Sequence, residues 1–310
     1  MCTSLSMDNG SFCFGRNMDI EFQLDSKVVA VPRRFPLRFS RAGEKTQHYA
    51  LLGMATVIDG YPLFADAMNE AGLCMAALSF PDCAYNSGSG SCILAPHELI
   101  PYVLSSCSTL AEAEKLLRDV RIEDIPFSKD VPNTPLHWHV ADKSGSLAVE
   151  CTSDGVNVMH DPVGVLTNSP PLSFHLTNLR QYVNLTAEYP KSRSGMEMEP
   201  FGRGFGAVGL PGDLSPASRF VRAAFLKLNS PCEEDSQRQI AQTLHVLGSV
   251  SMPRGSVITA DGREELTAYT SCMNGTSYYH VTYYGMRLHR ADMSRYDLDG
   301  EDLIFCKEEM

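Results

Sequence analysis

The chain has 310 residues and is acidic, with 37 Asp and Glu against 26 Lys and Arg and a formal net charge of −11. That sign repels phosphate backbones and anionic lipid surfaces, so nucleic acid is excluded as a partner and membrane insertion is not expected. A hydrophobic share of 44% with 20% charged residues is ordinary globular composition, and no apolar run approaches the roughly 20 residues of a membrane span.

The N-terminus reads Met1-Cys2-Thr3-Ser4-Leu5-Ser6-Met7-Asp8. It lacks the basic start and apolar stretch of a signal peptide, which implies a cytoplasmic location. A hairpin running from Cys2 through Asn9-Gly10 back to Arg16 is the first predicted element. Strands follow over 27–31 and 48–54. Phe64–Met68 and Leu73–Leu78 flank the turn Asn69-Glu70-Ala71-Gly72, a hairpin signal. A helix is expected from about Pro96 to Cys107. Thr109 and Glu112 have the spacing of a capping box for a second helix reaching Arg118. Leu136–Val140 and Leu147–Cys151 flank Asp142–Gly145 as another hairpin. A helix is predicted over 173–185. The stretch 184–212 is rich in Gly, Pro and charge, and a loop that long is functional, an assembly arm or disordered. Ser215-Pro216 supplies an N-cap and first-turn proline for a helix through Leu228, and a further helix spans about 235–247. Asn274-Gly275 reads as the centre of a C-terminal hairpin turn. Strand runs with helix pairs between them imply sheets packed face to face with helices outside.

Ten cysteines stand at 2, 13, 74, 83, 92, 107, 151, 232, 272 and 306. None shows a Cys-x-x-Cys spacing, so no metal and no cofactor is expected. Nine read as small buried hydrophobes. Cys2 differs, because excision of Met1 would leave it with a free α-amine. Such an amine titrates at about 7.7–8.0 and a thiol at about 8.5, so one residue would hold a nucleophile and a base of matched strength. Position two alone does not establish this, since a chain can begin Met-Cys by chance. The strand Phe12–Asp19 adds weight. The hairpin brings Arg16 and Asp19 toward Cys2, where an arginine favours a thiolate and a carboxylate holds an ammonium. A surface ion pair is the bland alternative for both.

Met1-Cys2-Thr3 followed by Phe14-Gly15-Arg16-Asn17-Met18-Asp19 resembles the choloylglycine hydrolase and penicillin V acylase family. The resemblance continues through Phe64-Ala65-Asp66-Ala67-Met68-Asn69-Glu70-Ala71-Gly72, Asn133-Thr134-Pro135-Leu136-His137-Trp138, Leu166-Thr167-Asn168-Ser169-Pro170, Pro216-Ala217-Ser218-Arg219 and Tyr269-Thr270-Ser271-Cys272. These blocks stand in family order and span nearly the whole chain. The resemblance implies an α+β fold, the four-layer αββα sandwich of N-terminal nucleophile hydrolases, as one domain over 1–310. It implies hydrolysis of glycine- or taurine-conjugated bile salts through a thioester on Cys2, with the α-amine as base. Penicillin V or another N-acyl amide is the alternative substrate.

Carried over residue by residue, Asp19 orients the amine and Arg16 sits by the sulfur. Asn168 offers its side-chain amide to the oxyanion, and Arg219 completes the charged network. On the residues alone, Asn168 reads as a turn residue and Arg219 as solvated. The backbone N–H of Ser79 should form the other half of the oxyanion hole. Bile acid hydrolases carry Asn there and penicillin V acylases often Tyr, which leaves any side-chain role of Ser79 in doubt. Met18, Ile20, Ile58 and Phe64 would suit a steroid face or plain core packing. The segment at about 184–212 resembles the arm of a homotetramer. A papain-like Cys–His pair finds no matching sequence context among the nine histidines.

Overall fold

Alternate residues of one strand enter different cores. On the strand Ser26–Val31, Val28 and Ala30 join one apolar cluster while Val29 and Val31 join a second. Cys74, Ala76 and Leu78 alternate with Met75 and Ala77 in the same way. With a side-chain period of two, this pattern requires a sheet covered on both faces. The computed structural model, which describes residues 1–22, 25–192 and 195–307, shows what covers it.

Two antiparallel sheets lie face to face. In the first, β1 (Cys2–Met7) and β2 (Cys13–Ile20) stand between Val165–Leu166 on one side and Glu264–Asn274, Ser277–Thr282 and Leu288–Asp292 on the other. The second orders Gly155–His160, Gly145–Thr152, Leu136–Asp142, Cys74–Ser79, Tyr61–Asn69, Leu51–Ile58, Ser26–Val31 and Ile304–Phe305. Helices α1 (Leu99–Ser106) and α2 (Leu110–Leu117) bury Leu99, Val103, Leu110 and Leu117 against the outer face of the second sheet. The outer face of the first sheet is covered by α4 (Pro216–Leu228) and α5 (Ser236–Gly248), with α3 (Leu172–Leu179) beside them. The architecture is the expected αββα sandwich.

Local chemistry sets the element ends. Ser215 Oγ caps α4 and Asp235 caps α5 through the amide of Arg238 at 2.9 Å. Thr109 caps α2, but the Glu112 carboxylate reaches one residue further upstream, accepting from Ser108 N at 2.7 Å. Expectation and structure part at three places. The strand expected from His48 begins at Leu51, because the imidazole of His48 is held by Phe35 O at 2.8 Å. The helix expected to reach Leu185 stops at Leu179 and gives way to a 3₁₀ turn at Arg180–Tyr182. Val183, which would extend its apolar stripe, is exposed, so a further turn would bury nothing. The C-terminal hairpin turns at Gly275-Thr276, not at Asn274-Gly275. Asn274 still pairs in the strand, and its amide is drawn to Phe12 O at 2.8 Å. The segment 184–212, apart from Arg193 and Ser194, which lie outside the described residues, holds one 3₁₀ turn at Phe205–Ala207 and no strand.

At Gly53 the strands Leu51–Ile58 and Tyr61–Asn69 leave no room for a side chain. A Cβ there would stand 2.2 Å from the carbonyl oxygen of Asp66 and 2.6 Å from Ala67 Cα, both backbone atoms that cannot swing aside. Gly53→Ala is expected to destabilise the protein by about 2–3 kcal/mol, in the range of overpacked cores. Urea melting checks this, and an unshifted midpoint would show that the strands have slack.

Candidate active site

The first two strands place every charged candidate by parity. In β1 and β2, Cys2 lies opposite Met18 and Ser4 opposite Arg16. Even-numbered side chains face the second sheet: Ser4 Oγ meets His139 Nδ1 at 2.8 Å, and Arg16 Nη1 donates to Ala65 O at 3.1 Å. Odd-numbered ones face the helices: Thr3 Oγ1 accepts from Arg219 on α4, and Asn17 Nδ2 donates to Leu247 O on α5 at 2.8 Å. Arg16 and Asp19 are three residues apart, so they point to opposite faces.

On the inner face, Arg16 Nη2 lies 2.6 Å from Cys2 Sγ, and Met18 Sδ lies 4.0 Å from the same sulfur. On the outer face, Asp19 is buried, with Oδ1 accepting from Thr267 Oγ1 at 2.5 Å and Oδ2 without a hydrogen-bond partner. Cys2 N donates to Asn168 Oδ1 at 2.9 Å. Met1 precedes it here, so this nitrogen is a peptide N–H. The Met1 amine donates to Asp19 O at 2.8 Å and pairs with Glu265. Arg219 spans the outer network: Nη1 donates to Cys2 O at 2.6 Å and to Thr3 Oγ1 at 2.5 Å, and Nη2 to Asn168 Oδ1 at 2.7 Å. Asn168 Nδ2 donates to Ser79 O at 2.7 Å. The Asn168 amide, expected to serve the oxyanion, spends one of its two protons inside the protein.

Both guanidiniums are fully buried, and their surroundings treat them differently. Burial opposes the Arg16 charge, but the Cys2 thiol, Tyr269, Asp66 and Tyr278 outweigh it and hold the arginine's pKa above its ordinary value. Burial wins at Arg219 and lowers it, with Asp19 and Cys2 pulling the other way. Burial likewise pushes the Asp19 carboxyl up, against Arg219 and Thr267.

The segment carrying Asn168 is fixed from behind. His137 Nε2 lies 3.0 Å from Thr167 O, and His175 Nε2 lies 2.8 Å from Asn168 O. The five charged or amide candidates Cys2, Arg16, Asp19, Asn168 and Arg219 thus meet at one end of β1. Ser79 joins them through its carbonyl. The apolar candidates do not all follow. Met18 touches the sulfur, while Ile20 lines a cavity of about 980 Å³ with Phe22, Met54, Leu266 and Tyr269. Ile58 ends its strand at the Asp59-Gly60 turn, half-buried. Phe64 belongs to the outer core beneath α1 and α2, away from this cluster.

The profile of the linear amide C–N hydrolases, choloylglycine hydrolase family, matches residues 2–306. The chain belongs to this family. It is 38% identical to the bile salt hydrolase/transferase of Lactiplantibacillus plantarum, over 98% of this chain and 96% of that protein. Identity to the bile salt hydrolase/transferase of Clostridium perfringens is 40%, over 98% and 95%. The solved structure of a cysteine-to-alanine variant of conjugated bile acid hydrolase from Clostridium perfringens superposes with a TM-score of 0.89 at 38% identity, covering 100% of this chain and 97% of that one. Penicillin V acylase from Agrobacterium tumefaciens shares the fold, with a TM-score of 0.78 at 23% identity over 97% and 90% of the two chains.

Like the rest of its family, the choloylglycine-type chain is an amide hydrolase, and its site contains groups that sequence reading passed over. Thr3, Thr267 and Glu265 ring the N-terminus, and Asp66 stands 3.6 Å from Arg16. Asp66 had a sequence signal: it is the one charge in the apolar run Phe64–Met68, and a charge inside a buried strand needs a partner. The histidines, in contrast, leave the sulfur alone. The described hydrogen-bond partners of Cys2 Sγ are Arg16 and Met18, which removes support from a Cys–His pair. His139, bonded to Ser4 of β1, is kept neutral; burial first, then Lys227 and His137, lower its pKa to about 3.

A histidine with a depressed folded-state pKa stabilises the fold above its unfolded value near 6.5 and loses that contribution as pH falls toward the folded value. At pH 5, protons taken up by the unfolded chain at His139 should cost about 2 kcal/mol. His139→Gln, which keeps a polar group near Ser4 but does not titrate, should flatten the fall in melting temperature between pH 7 and pH 5. Parallel curves for variant and wild type would reject this role.

Proposed function

We propose that the protein hydrolyses the amide bond of glycine- and taurine-conjugated bile salts, releasing free bile acid and amino acid. The observation that carries the mechanism is Arg16 Nη2 at 2.6 Å from the sulfur of an almost N-terminal cysteine, whose own nitrogen is held by Asn168. In this reading Met1 is excised, Cys2 N becomes an amine, and the unsatisfied Asp19 Oδ2 becomes the acceptor for its ammonium form.

The steps follow from the geometry. The amine takes the thiol proton, and the thiolate, faced by Arg16, attacks the amide carbonyl. Carbonyl electrons move to oxygen, where the second Nδ2 proton of Asn168 and the Ser79 N–H stabilise them; losing one such donor typically costs about 2.7–4 kcal/mol of barrier. The carbonyl re-forms, the C–N bond breaks, and the leaving nitrogen collects the proton from the amine. Water, deprotonated by the same amine, then splits the thioester and regenerates the thiol. A bile salt is amphipathic and anionic. The cavity beside β2 offers an apolar side of Ile20, Phe22, Leu266 and Tyr283, with Lys27 beside it and Arg254 and Arg263 paired to Glu264 and Glu21 of the same lining. The named relatives support the same substrate class.

The reading includes a homotetramer held by the 184–212 arm. Tyr189, Met198 and Phe201 are exposed there, and Phe201 fully so. It also places the enzyme in the cytoplasm, in keeping with ten cysteines that are all free. No helix among the described residues is long and apolar enough to cross a membrane.

Amino acid release from glycocholate and taurocholate, with penicillin V cleavage alongside, tests the substrate. Either conjugate should turn over faster than penicillin V, and Cys2→Ala should lose about 10³-fold or more. Faster penicillin V cleavage would transfer the enzyme to the acylase reading. Intact mass of the active preparation should correspond to a chain starting at Cys2; full activity with Met1 attached would eliminate the amine as base. Light scattering should give four times the chain mass, and a monomer would remove the arm's assigned role.

A further inference from the structure

Arg16 is fixed by more than the sulfur it touches. Nε donates to Asn17 O at 3.3 Å, and Nη1 donates to Ala65 O at 3.1 Å while standing 3.6 Å from Asp66 Oδ2. Asp66 is wholly buried on the strand Tyr61–Asn69 of the second sheet. Its carboxylate accepts from Tyr269 Oη at 2.6 Å, Tyr278 Oη at 2.6 Å and Ser271 Oγ at 3.3 Å. All three donors belong to the first sheet. The network therefore crosses the inter-sheet space beside the Arg16–Cys2 contact. No other charged side chain in the strand shares its interior position, for its neighbours Ala65 and Ala67 are apolar.

We propose that Asp66, held by Tyr269 and Tyr278, is the positioning residue that aims Arg16 at the nucleophilic sulfur. The inference rests on Cys2 as the nucleophile. The two ends of the guanidinium divide the work: Nη1 is anchored on Ala65 O and faces Asp66, which leaves Nη2 directed at Sγ. When the thiol ionises, a second anion appears beside the same cation, and the carboxylate competes with it. Two phenols and a hydroxyl donating to Asp66 spread its charge, so the sulfur keeps the stronger claim on Nη2. Burial, then the Asp66 charge, raises both phenol pKa values, so the tyrosines remain donors across the working range. Asp66 and Tyr278 act only through Arg16. The other charges near Cys2, Asp19 of β2 and Arg219 of α4, lie on the outer side of the first sheet and make no contact with Asp66.

The test uses the mature enzyme with Asp66→Asn, Tyr278→Phe and Cys2→Ala. Two quantities are read: kcat and KM on the better conjugate, and the pH midpoint of Cys2 alkylation by iodoacetamide, followed on the N-terminal peptide by mass spectrometry. Asp66→Asn should lower kcat by about 10²-fold with KM little changed, the effect of misplacing a group near the reacting atoms. Its alkylation midpoint should rise by about one pH unit, because a misaimed Nη2 withdraws more stabilisation from the thiolate than removal of the competing Asp66 charge returns. Tyr278→Phe should move both in the same direction by less. A folded Asp66→Asn with wild-type kcat and midpoint overturns the proposal. If that variant fails to fold, Tyr278→Phe decides, because it removes one hydroxyl that bonds Asp66 rather than Arg16; an unchanged kcat and midpoint there overturns it too. Turnover that survives in Cys2→Ala overturns the nucleophile itself, whereas a dead Cys2→Ala beside a normal Asp66→Asn overturns only the positioning.

Discussion

Two buried guanidiniums on either side of one β-strand are the constraint around which this structure is organised. Arg16 lies between the sheets and Arg219 between the first sheet and α4, both with no exposed surface. An unmatched buried cation costs several kcal/mol, so each location demands anions and carbonyls supplied by parts of the chain far apart in sequence. Arg16 is met by Cys2, Ala65 and Asp66; Arg219 by Cys2, Thr3, Leu214 and Asn168. Cys2 is the residue common to both sets, through its sulfur on one side and its carbonyl on the other. The site is thus part of the electrostatic closure of the sandwich rather than an addition to its surface.

That closure explains what was legible in the sequence. β-rich runs and turn residues located several strands of both sheets, though not Gly155–His160, Val165–Leu166, Leu288–Asp292 or Ile304–Phe305, and Ser215-Pro216 and Asp235 located the starts of α4 and α5, because these signals are local. The β1–β2 hairpin was readable for the same reason, and with it the approach of Arg16 to Cys2. The opposed directions of Arg16 and Asp19 follow from their odd spacing once the strand is given. Asn168 and Arg219 were less visible. Their places depend on the Val165–Leu166 strand docking on β1 and on α4 lying over Thr3, and no local pattern encodes either contact. Only resemblance brought those residues forward. Local signals also failed where a distant acceptor intervened: Asn274 leaves the turn for Phe12 O, and Glu112 reaches past Thr109 to Ser108.

Asp66 was missed for a related reason. In the strand reading it is a polar residue in an apolar run, and its partners Tyr269, Ser271 and Tyr278 lie some 200 positions away by sequence separation. Each partner reads alone as an ordinary strand residue. Ser271 and Tyr269 are two apart and so share a face, and the β-bulge between Thr267 and Tyr269 shifts the register before them. A bulge re-aims the side chains beyond it. Here it lets Thr267 turn to Asp19 on the helix side while Tyr269 turns inward to Asp66. One strand thereby serves both guanidinium networks.

The division between chemistry and selectivity follows from the same layout. Cys2, Arg16, Asp19 and Asp66 sit on paired central strands, where register fixes each side chain and a one-residue slip would reverse every face, and Arg219 reaches them from α4. Of the apolar candidates, Met18 and Phe64 lie within strands, while Ile20 and Ile58 sit at strand ends. Ile20 closes β2, Ile58 precedes the Asp59-Gly60 turn and Ser79 ends its strand, all positions where the backbone is free to differ without disturbing the ladder. Penicillin V acylase shares this fold at 23% identity, so the sandwich alone does not choose a substrate. Whatever distinguishes members of this fold must then lie outside the shared ladder, and the ends of strands, such as Ser79 and the cavity wall at Ile20, are where side chains can change without moving Cys2 and Arg16.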